Sequence, residues 1–582
     1  MTSAENTTGS GTSQHERAIT RRILIAAFFV AVVVRAIAAW YSGPAQVQEI
    51  RYITIARGLV SGLGYTGLDN RFPDIIQPPL FPLLLAASQL LPFNALALAR
   101  GVSLLMGALL VFPGAFIARR LFSEPTARRT AWLIAVYPLL AHISCAAITE
   151  STFTLLVVTA FLCLCRGLDG PWKPESLRWL ILNGLLLGLS FLTRPEGLTY
   201  LAAGGLLIVV CGLRQRRAVI QIAGAALLPL CAFAAAAIPY LFWVHAMTGQ
   251  WLLAPKAVLV QVHHSLVQEG QRENWKEVYD SLLFFEHVKF GLNRDSTEVR
   301  SHEEFDKVSV GLTDGLMVSE EGDVNLLDPS MAARMILRNI KELYLEQIKY
   351  GYVLPSLLLM LAGVGITTKP LAGQFRGQAA MVLVFLAASF SFLLTHVQSR
   401  FLYAAMPFVL PWIAEGWLRF EQWAVVSATG GREVSSGARY QVIRGAIAAA
   451  VLGLTLFHLG PVLQITSRLW REHRVMGTWI AQELGEGKKL MGVTPVVAYY
   501  AEGSYVVLPY ADLPEVVRFA RHKQVDFIVA DRAEIPEFRP QLTSLLNHER
   551  PNEGLILVKA LNEQTSQAIY IYKLPPEPQA NR

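Results

Sequence analysis

The chain has 582 residues, of which 53% are hydrophobic and only 16% charged, with a formal net charge of +7. Soluble domains carry about 25% charged residues, so this balance excludes an ordinary soluble protein. The basic excess sits in short loops between apolar runs, with no Lys/Arg-rich stretch interleaved with aromatics. It therefore reads as membrane topology and argues against nucleic acid as a partner.

In chain order, residues 1–20 are Ser/Thr/Gly-rich and predict a disordered cytoplasmic N-terminus. The run "ILIAAFFVAVVVRAIAAWY" is too long for a signal-peptide core and lacks a clear cleavage site, so it is read as a retained anchor. Apolar runs predict roughly eleven spans, near residues 22–41, 97–118, 130–145, 150–166, 178–193, 197–213, 219–245, 351–368, 378–397, 401–418 and 443–465. The piece "PPLFPLLLAASQLLPF" is shorter and reads as interfacial or re-entrant. Arg21 and Arg22, then "ARRLFSEPTARR", "RQRR", "TTKPLAGQFRGQ" and the Arg432/Arg439/Arg444 segment recur at every second crossing. The positive-inside rule places them in the cytoplasm. The expectation is a multi-pass protein of the cytoplasmic membrane, with its N-terminus inside and residues 21–467 forming the membrane domain.

A large outer loop, 246–350, is expected to hold short helices such as "MAARMILRNIKELYLEQIKYGYVL" on the membrane surface. The tail, 468–582, alternates helical "VMGTWIAQELG" and "LPEVVRFARHK" with the β-rich runs "KLMGV", "SYVVLP", "VDFIVADR", "GLILVKAL" and "AIYIYKL". That pattern predicts an extracytoplasmic α/β domain, and it lacks a GxGxxG or P-loop signature for a soluble nucleotide. The fold class is thus a polytopic α-helical membrane protein with a C-terminal α/β domain. All five cysteines lie in or beside apolar runs, which offers no disulfide framework and no metal motif.

Chemistry-bearing residues collect on the outer face. In "QEIRYITIAR", Ile50, Ile53, Ala56 and Val60 share a helical face, and Glu49 and Tyr52 stand at i, i+3. One reading is an interfacial helix with Arg51 and Arg57 at lipid headgroups; the other makes Glu49 a base aimed into an outward cavity. Asp74 and Gln77 precede "QPPLFP", whose prolines suit a helix entry. Glu150 opens a span in "ITEST", where the helix dipole favours an acid. Arg194 stands in "LTRPEG", and His396 and Arg400 in "HVQSRF", where an arginine could equally snorkel. Lys256, His263 and His264 begin the large loop and read as solvated. Arginine forks bind phosphate bidentately, and a nearby carboxylate could take a proton from a hydroxyl, so the set suggests group transfer from a lipid phosphate.

These segments resemble the GT-C glycosyltransferases of the protein O-mannosyltransferase and lipid A aminoarabinose transferase type. "QEIRYITIAR" resembles their first-loop Asp-Glu-x-x-Tyr motif, "QPPLFPLLLA" their PPL(Y/F)P segment, "ITESTFTLL" their SE-x-x-F segment and "FLTRPEGL" their TRPEG. "PYLFWVHAMTGQW" resembles the entry to the large outer loop, and "SRFLYAAMPF" a late span. The resemblance implies an enzyme that takes a sugar from a polyprenyl-phosphate donor at the outer face. It would pass the sugar to a glycan, lipid or protein acceptor with inversion, with no cofactor and no metal. By position, the first-loop acid would be the general base and Arg194 and Arg400 would grip the lipid phosphate. Gln48, Tyr52, Gln77, Glu150 and His396 would line the site. The chain departs from the pattern at Gln48, where the family most often has Asp, since an amide cannot accept a proton. The base then falls to Glu49, with Asp74 or Glu150 behind it. The alternatives are a catalytically inactive homologue and a lipid-linked-sugar transporter or flippase, which should show internal repeats and midmembrane charges.

Overall fold

The computed structural model describes residues 6–68, 74–169, 172–249, 251–253, 255, 336–337, 339–341, 354–367, 375–393, 399–429, 438–460, 470–509, 511–547, 554–563 and 565–574. Long apolar runs fold as helices because only a helix satisfies every backbone group within lipid. Helix α1 is Asn6–Tyr41, with Ala18–Tyr41 its apolar part. The helical segment begins at Asn6, within the stretch expected to be disordered, and residues 1–5 lie outside the described residues. Ile25, Phe29, Val33 and Ile37 recur every fourth residue and are all exposed, forming one lipid-facing stripe.

Beyond α1 come α2 (Val47–Val60), α3 (Leu80–Ser88), α4 (Ala95–Leu109) and α5 (Val111–Leu121). They are followed by α6 (Glu124–Val136), α7 (Pro138–Ile143) and α8 (Glu150–Gly167). Then come α9 (Pro174–Phe191), α10 (Gly197–Arg214) and α11 (Val219–Thr248). Apolar helices Ser356–Thr367 and Phe375–Leu393, a 3-10 turn Ser399–Ala404, and helices Met406–Thr429 and Ala438–Phe457 complete the bundle. Among the described residues, six helices are long and apolar enough to cross a membrane, against the roughly eleven spans expected from hydropathy. Two causes are visible. The run near 130–145 is cut at Pro138 into α6 and α7. The helix Met406–Thr429 carries ionic groups along its middle, where Glu415 accepts from Thr126 (2.6 Å) and Glu421 pairs with Arg129 and Arg444. The segment 80–88 is the short helix that "PPLFP" predicts.

The α6–α7 break is stabilised by Arg35 of α1. Pro138 has no N–H for Ile134, and Tyr137 is extended, so the carbonyls of Ile134 and Ala135 lose their helical donors. The fully buried Arg35 guanidinium donates to both, at 3.1 and 3.0 Å. Elsewhere helices touch through small residues: a methyl on Gly416 would run into the Leu361 carbonyl, and one on Gly365 into that of Trp412.

The C-terminal segment forms a five-stranded mixed sheet in the order β2-β1-β3-β5-β4. Its strands are β1 (Lys489–Gly492), β2 (Ser504–Val507), β3 (Phe527–Asp531), β4 (Ile556–Leu561) and β5 (Ile569–Lys573). The β1–β2 and β1–β3 pairs are parallel, β3–β5 and β4–β5 antiparallel. Helices Arg471–Glu483 and Leu513–His522 pack on it. All five β-rich runs of the sequence become strands. The apolar core of this domain takes in Ala45, Val47, Ile50 and Leu68 of the first loop, and the Ala45 amide donates to Tyr500 at 2.6 Å. Helix α2 is therefore held between two cores instead of lying on lipid headgroups.

Candidate active site

Helix α2 carries side chains on every face, and its environment sorts them. Glu49, 0% exposed, accepts both prongs of the Arg100 fork, Nε at 2.8 Å and Nη2 at 2.9 Å. It also accepts the amides of Ala147 (2.8 Å) and Gln46 (2.9 Å). Arg100 donates further to the carbonyls of Gly43 and Pro44, each at 3.1 Å. Glu49 thus clamps α2 to α4 and to the loop before α8. It does not line the pocket on the Gln48/Tyr52 face of the helix, so the geometry does not support the base role expected for it. Asp74 is spent similarly. It pairs with buried Arg51 at 2.6 Å and accepts the amides of Ile76 and Gln77, each at 3.2 Å. Arg51 is accordingly buried in the fold and away from lipid headgroups, and Asp74 orients the chain into α3.

The pocket itself is lined by Gln48, Tyr52, Gln77, Glu150, Arg194, Glu196 and Arg400, with Thr149 and Thr193 at its edge. Gln48 and Tyr52, four apart on α2, face it together. Arg400 donates to Gln48 Oε1 at 2.9 Å, and Tyr52 donates to Gln77 Oε1 at 2.9 Å. Arg194 Nη1 donates to Glu150 Oε1 at 2.7 Å and its Nη2 to Glu196 Oε1 at 2.8 Å. Arg400 Nε stands 3.9 Å from the same Glu150 oxygen. One carboxylate oxygen of Glu150 is therefore shared by two guanidiniums.

Local structure explains the convergence. Glu150 is the first residue of α8, where the helix dipole favours a negative charge. Arg194 leaves α9 in a tight turn, its amide bonding Ser190 O at 2.8 Å, and Leu80 bonds Leu192 O at 2.9 Å to bring α3 alongside. Arg400 rides the 3-10 turn Ser399–Ala404, which docks on α8 through Tyr403 and Ser151 at 3.2 Å. Burial, and then the Glu150 charge, raise the Tyr52 phenol well above its ordinary value, so it stays a proton donor. Burial opposes the Arg194 charge, but Glu196 and Glu150 more than offset it and hold the guanidinium ionised.

Seven of the expected residues were assigned to the site as lining or phosphate-gripping groups; the structure gathers six, Gln48, Tyr52, Gln77, Glu150, Arg194 and Arg400. His396, like Lys256, His263 and His264, lies outside the described residues. Sequence reasoning missed Glu196 as a lining acid, although it stands two residues from Arg194. It also missed Arg100, whose signal was an arginine within the apolar run "ALALARGVSLLMGAL", which demands a buried partner.

Residues 76–260 match the family of dolichyl-phosphate-mannose-protein mannosyltransferases. No curated protein is recognisably similar in sequence. Among solved structures, the chain is similar to ArnT from Cupriavidus metallidurans bound to undecaprenyl phosphate. The identity is 14% and the TM-score 0.56, over 94% of this chain and 97% of that one. The apo state of that protein gives 13% and 0.54 over 96% and 98%. The apo oligosaccharyltransferase of Archaeoglobus fulgidus gives 14% and 0.53 over 88% of this chain and 69% of that one. Agreement over nearly the whole length, at such low identity, is agreement of architecture: the chain is a multi-pass membrane protein built on the GT-C fold of membrane glycosyltransferases.

Proposed function

We propose that the protein transfers a sugar from a polyprenyl-phosphate carrier to a hydroxyl acceptor (glycan, lipid or protein) at the outer face of the cytoplasmic membrane. The observation that carries this reading is the convergence of Arg194 and Arg400 on Glu150 beside the Gln48/Tyr52 face of α2. The likeness to an ArnT structure bound to undecaprenyl phosphate supports it. On donor binding, the two guanidiniums exchange part of their hold on Glu150 for the lipid phosphate. As the bond between the sugar C1 and the phosphate oxygen breaks, its electrons pass to the phosphate, where the arginine forks stabilise them. The acceptor oxygen bonds to C1 from the opposite face, inverting it, and its proton passes to Glu150. Gln48 orients that hydroxyl without taking the proton. The positive charge comes from side chains, so the reading includes no divalent cation, and EDTA leaves transfer unchanged.

The test is release of lipid phosphate by purified protein in lipid, over a panel of polyprenyl-phosphate sugars and an acceptor extract. Arg194→Ala and Arg400→Ala abolish release with one donor, and Glu150→Gln lowers it about 10²–10⁴-fold. One observation favours a second reading. Gln48 occupies the pocket while Glu49 and Asp74 are both committed elsewhere, as in a protein that binds a lipid-linked sugar without reacting it. Tight donor binding, lost in Arg194→Ala, with no release from any sugar would establish that reading instead.

A further inference from the structure

The opposite face of α2 borders a second, larger cavity that the transfer reading leaves unused. Gln48 and Tyr52 line the transfer pocket, while Ile50, Thr54, Arg57 and Ser61 face a cleft of about 660 Å³ closed by the C-terminal sheet domain. That volume falls within the range of about 300–1,000 Å³ typical of small-molecule sites. One helix is thus a common wall to both cavities.

The lining combines aromatic rings with fixed polar groups. Tyr505 donates its phenol to the Val493 and Gly492 carbonyls at 2.9 and 3.2 Å, which locks its ring as a wall. Tyr500 accepts the Ala45 amide and keeps its own proton to donate. The Arg57 guanidinium stands 5.7 Å from the Tyr499 ring centroid, and burial pushes the Tyr499 phenol up to about 12, so it too remains a donor. Asn94 uses its carbonyl oxygen to cap α4, accepting from Leu96 and Ala97 at 3.0 and 3.1 Å, which leaves its amide N–H groups as donors. The carboxylate of Glu502 is exposed and has no ion-pair partner among the described residues.

Glu502 has a second peculiarity. It adopts φ of 49°, a left-handed conformation in which glycine or asparagine would be at ease and glutamate is strained. The conformation closes the end of the short helix Val496–Tyr500, the Gly503 amide bonding Ala498 O at 3.0 Å, and it sets Glu502 on the rim of the cleft. Charges in the cleft balance, Arg57 against Glu502, so neither a phosphate nor a polycation is selected. Rigid rings suit the C–H faces of a pyranose, and the phenol, amide and carboxylate groups suit its hydroxyls. We propose that this cleft binds a short neutral oligosaccharide, at a site separate from the transfer pocket.

The experiment uses the full chain in lipid nanodiscs, titrated calorimetrically with neutral trisaccharides of mannose, of glucose and of N-acetylglucosamine. At least one binds. Glu502→Gly, which relaxes the backbone while removing the carboxylate, weakens that binding about tenfold or more, and Tyr500→Phe weakens it too. Arg194→Ala leaves it unchanged while abolishing binding of polyprenyl phosphate, so the site stands or falls separately from transferase activity. Failure of all three saccharides to bind overturns the proposal. So does wild-type affinity in both Glu502→Gly and Tyr500→Phe, and so does loss of saccharide binding in Arg194→Ala, which would move the sugar to the other pocket.

Discussion

Glu49 and Glu150 show how two glutamates of similar local appearance come to different ends. Each stands in the first turn of a helix and each faces arginine. Glu49 is sealed by a bidentate fork and two amides, whereas Glu150 opens onto a cavity and shares its arginine with Glu196. Removing one partner of a buried ion pair costs about 3–5 kcal/mol, because the other charge stays buried and uncompensated. Glu49→Gln is therefore expected to lower stability by that amount in detergent unfolding, with activity lost in step with folded protein. Glu150→Gln leaves Arg194 its second partner Glu196, so it is expected to lower stability less than Glu49→Gln and to lose rate well beyond any loss of folded protein. Equal stability of Glu49→Gln and wild type, with transfer abolished, would return Glu49 to the role of base.

At the scale of elements, the bundle depends on contacts that compensate for broken helices. Arg35 supplies the donors that Pro138 removes, and an unsatisfied carbonyl in an apolar setting costs about 1–3 kcal/mol. Arg35→Lys keeps the charge but lacks the planar fork, so it is expected to destabilise the bundle by about 1–3 kcal/mol, read as a lower unfolding midpoint. Gly416→Ala is expected to separate the helices Ser356–Thr367 and Met406–Thr429, because the added methyl meets the Leu361 backbone, which cannot turn aside. Disulfide crosslinking between cysteines placed on those helices reports the separation. In the sheet domain, Tyr572 donates to Leu545 O at 2.7 Å, and burial, then Tyr570, push its phenol up to about 12. The folded state holds this proton when the unfolded chain, titrating near 10, has lost it. Stability from this group is thus complete below about pH 10 and declines up to about pH 12. An alkaline unfolding series compared with Tyr572→Phe, which flattens that decline, checks the sign.

For the whole molecule, the feature that matters most is α2 between two bodies. One face of the helix meets the bundle and the Gln48/Tyr52 pocket, and the other meets the sheet domain and the cleft. The proposed outer-face reaction needs the orientation expected from the basic loops, with the sheet domain outside. In a chain whose native cysteines are replaced, Ser504→Cys is expected to react with a membrane-impermeant maleimide on intact cells. Ala218→Cys, beside "RQRR", is expected to react only after permeabilisation. The reverse pattern would place the transfer pocket in the cytoplasm and remove the basis for an outer-face donor.

What the sequence determined by itself was what local pattern carries: apolar runs that become helices and five β-rich runs that become five strands. Those signals are short-range, because hydropathy and the periods of helix and strand act within a few residues. Six lining residues were legible too, since Gln48, Gln77, Glu150, Arg194 and Arg400 stand at helix ends in recognisable motifs, and Tyr52 lies one turn from Gln48. Only the tertiary structure decided which acid faces the pocket. Glu49 meets Arg100 across 51 residues of sequence, and Glu150 meets Arg194 across 44. No local period encodes such a pairing; it follows from the packing of α2 against α4 and of α8 against the turn after α9, where each charge buried in a low dielectric must find its counter-charge.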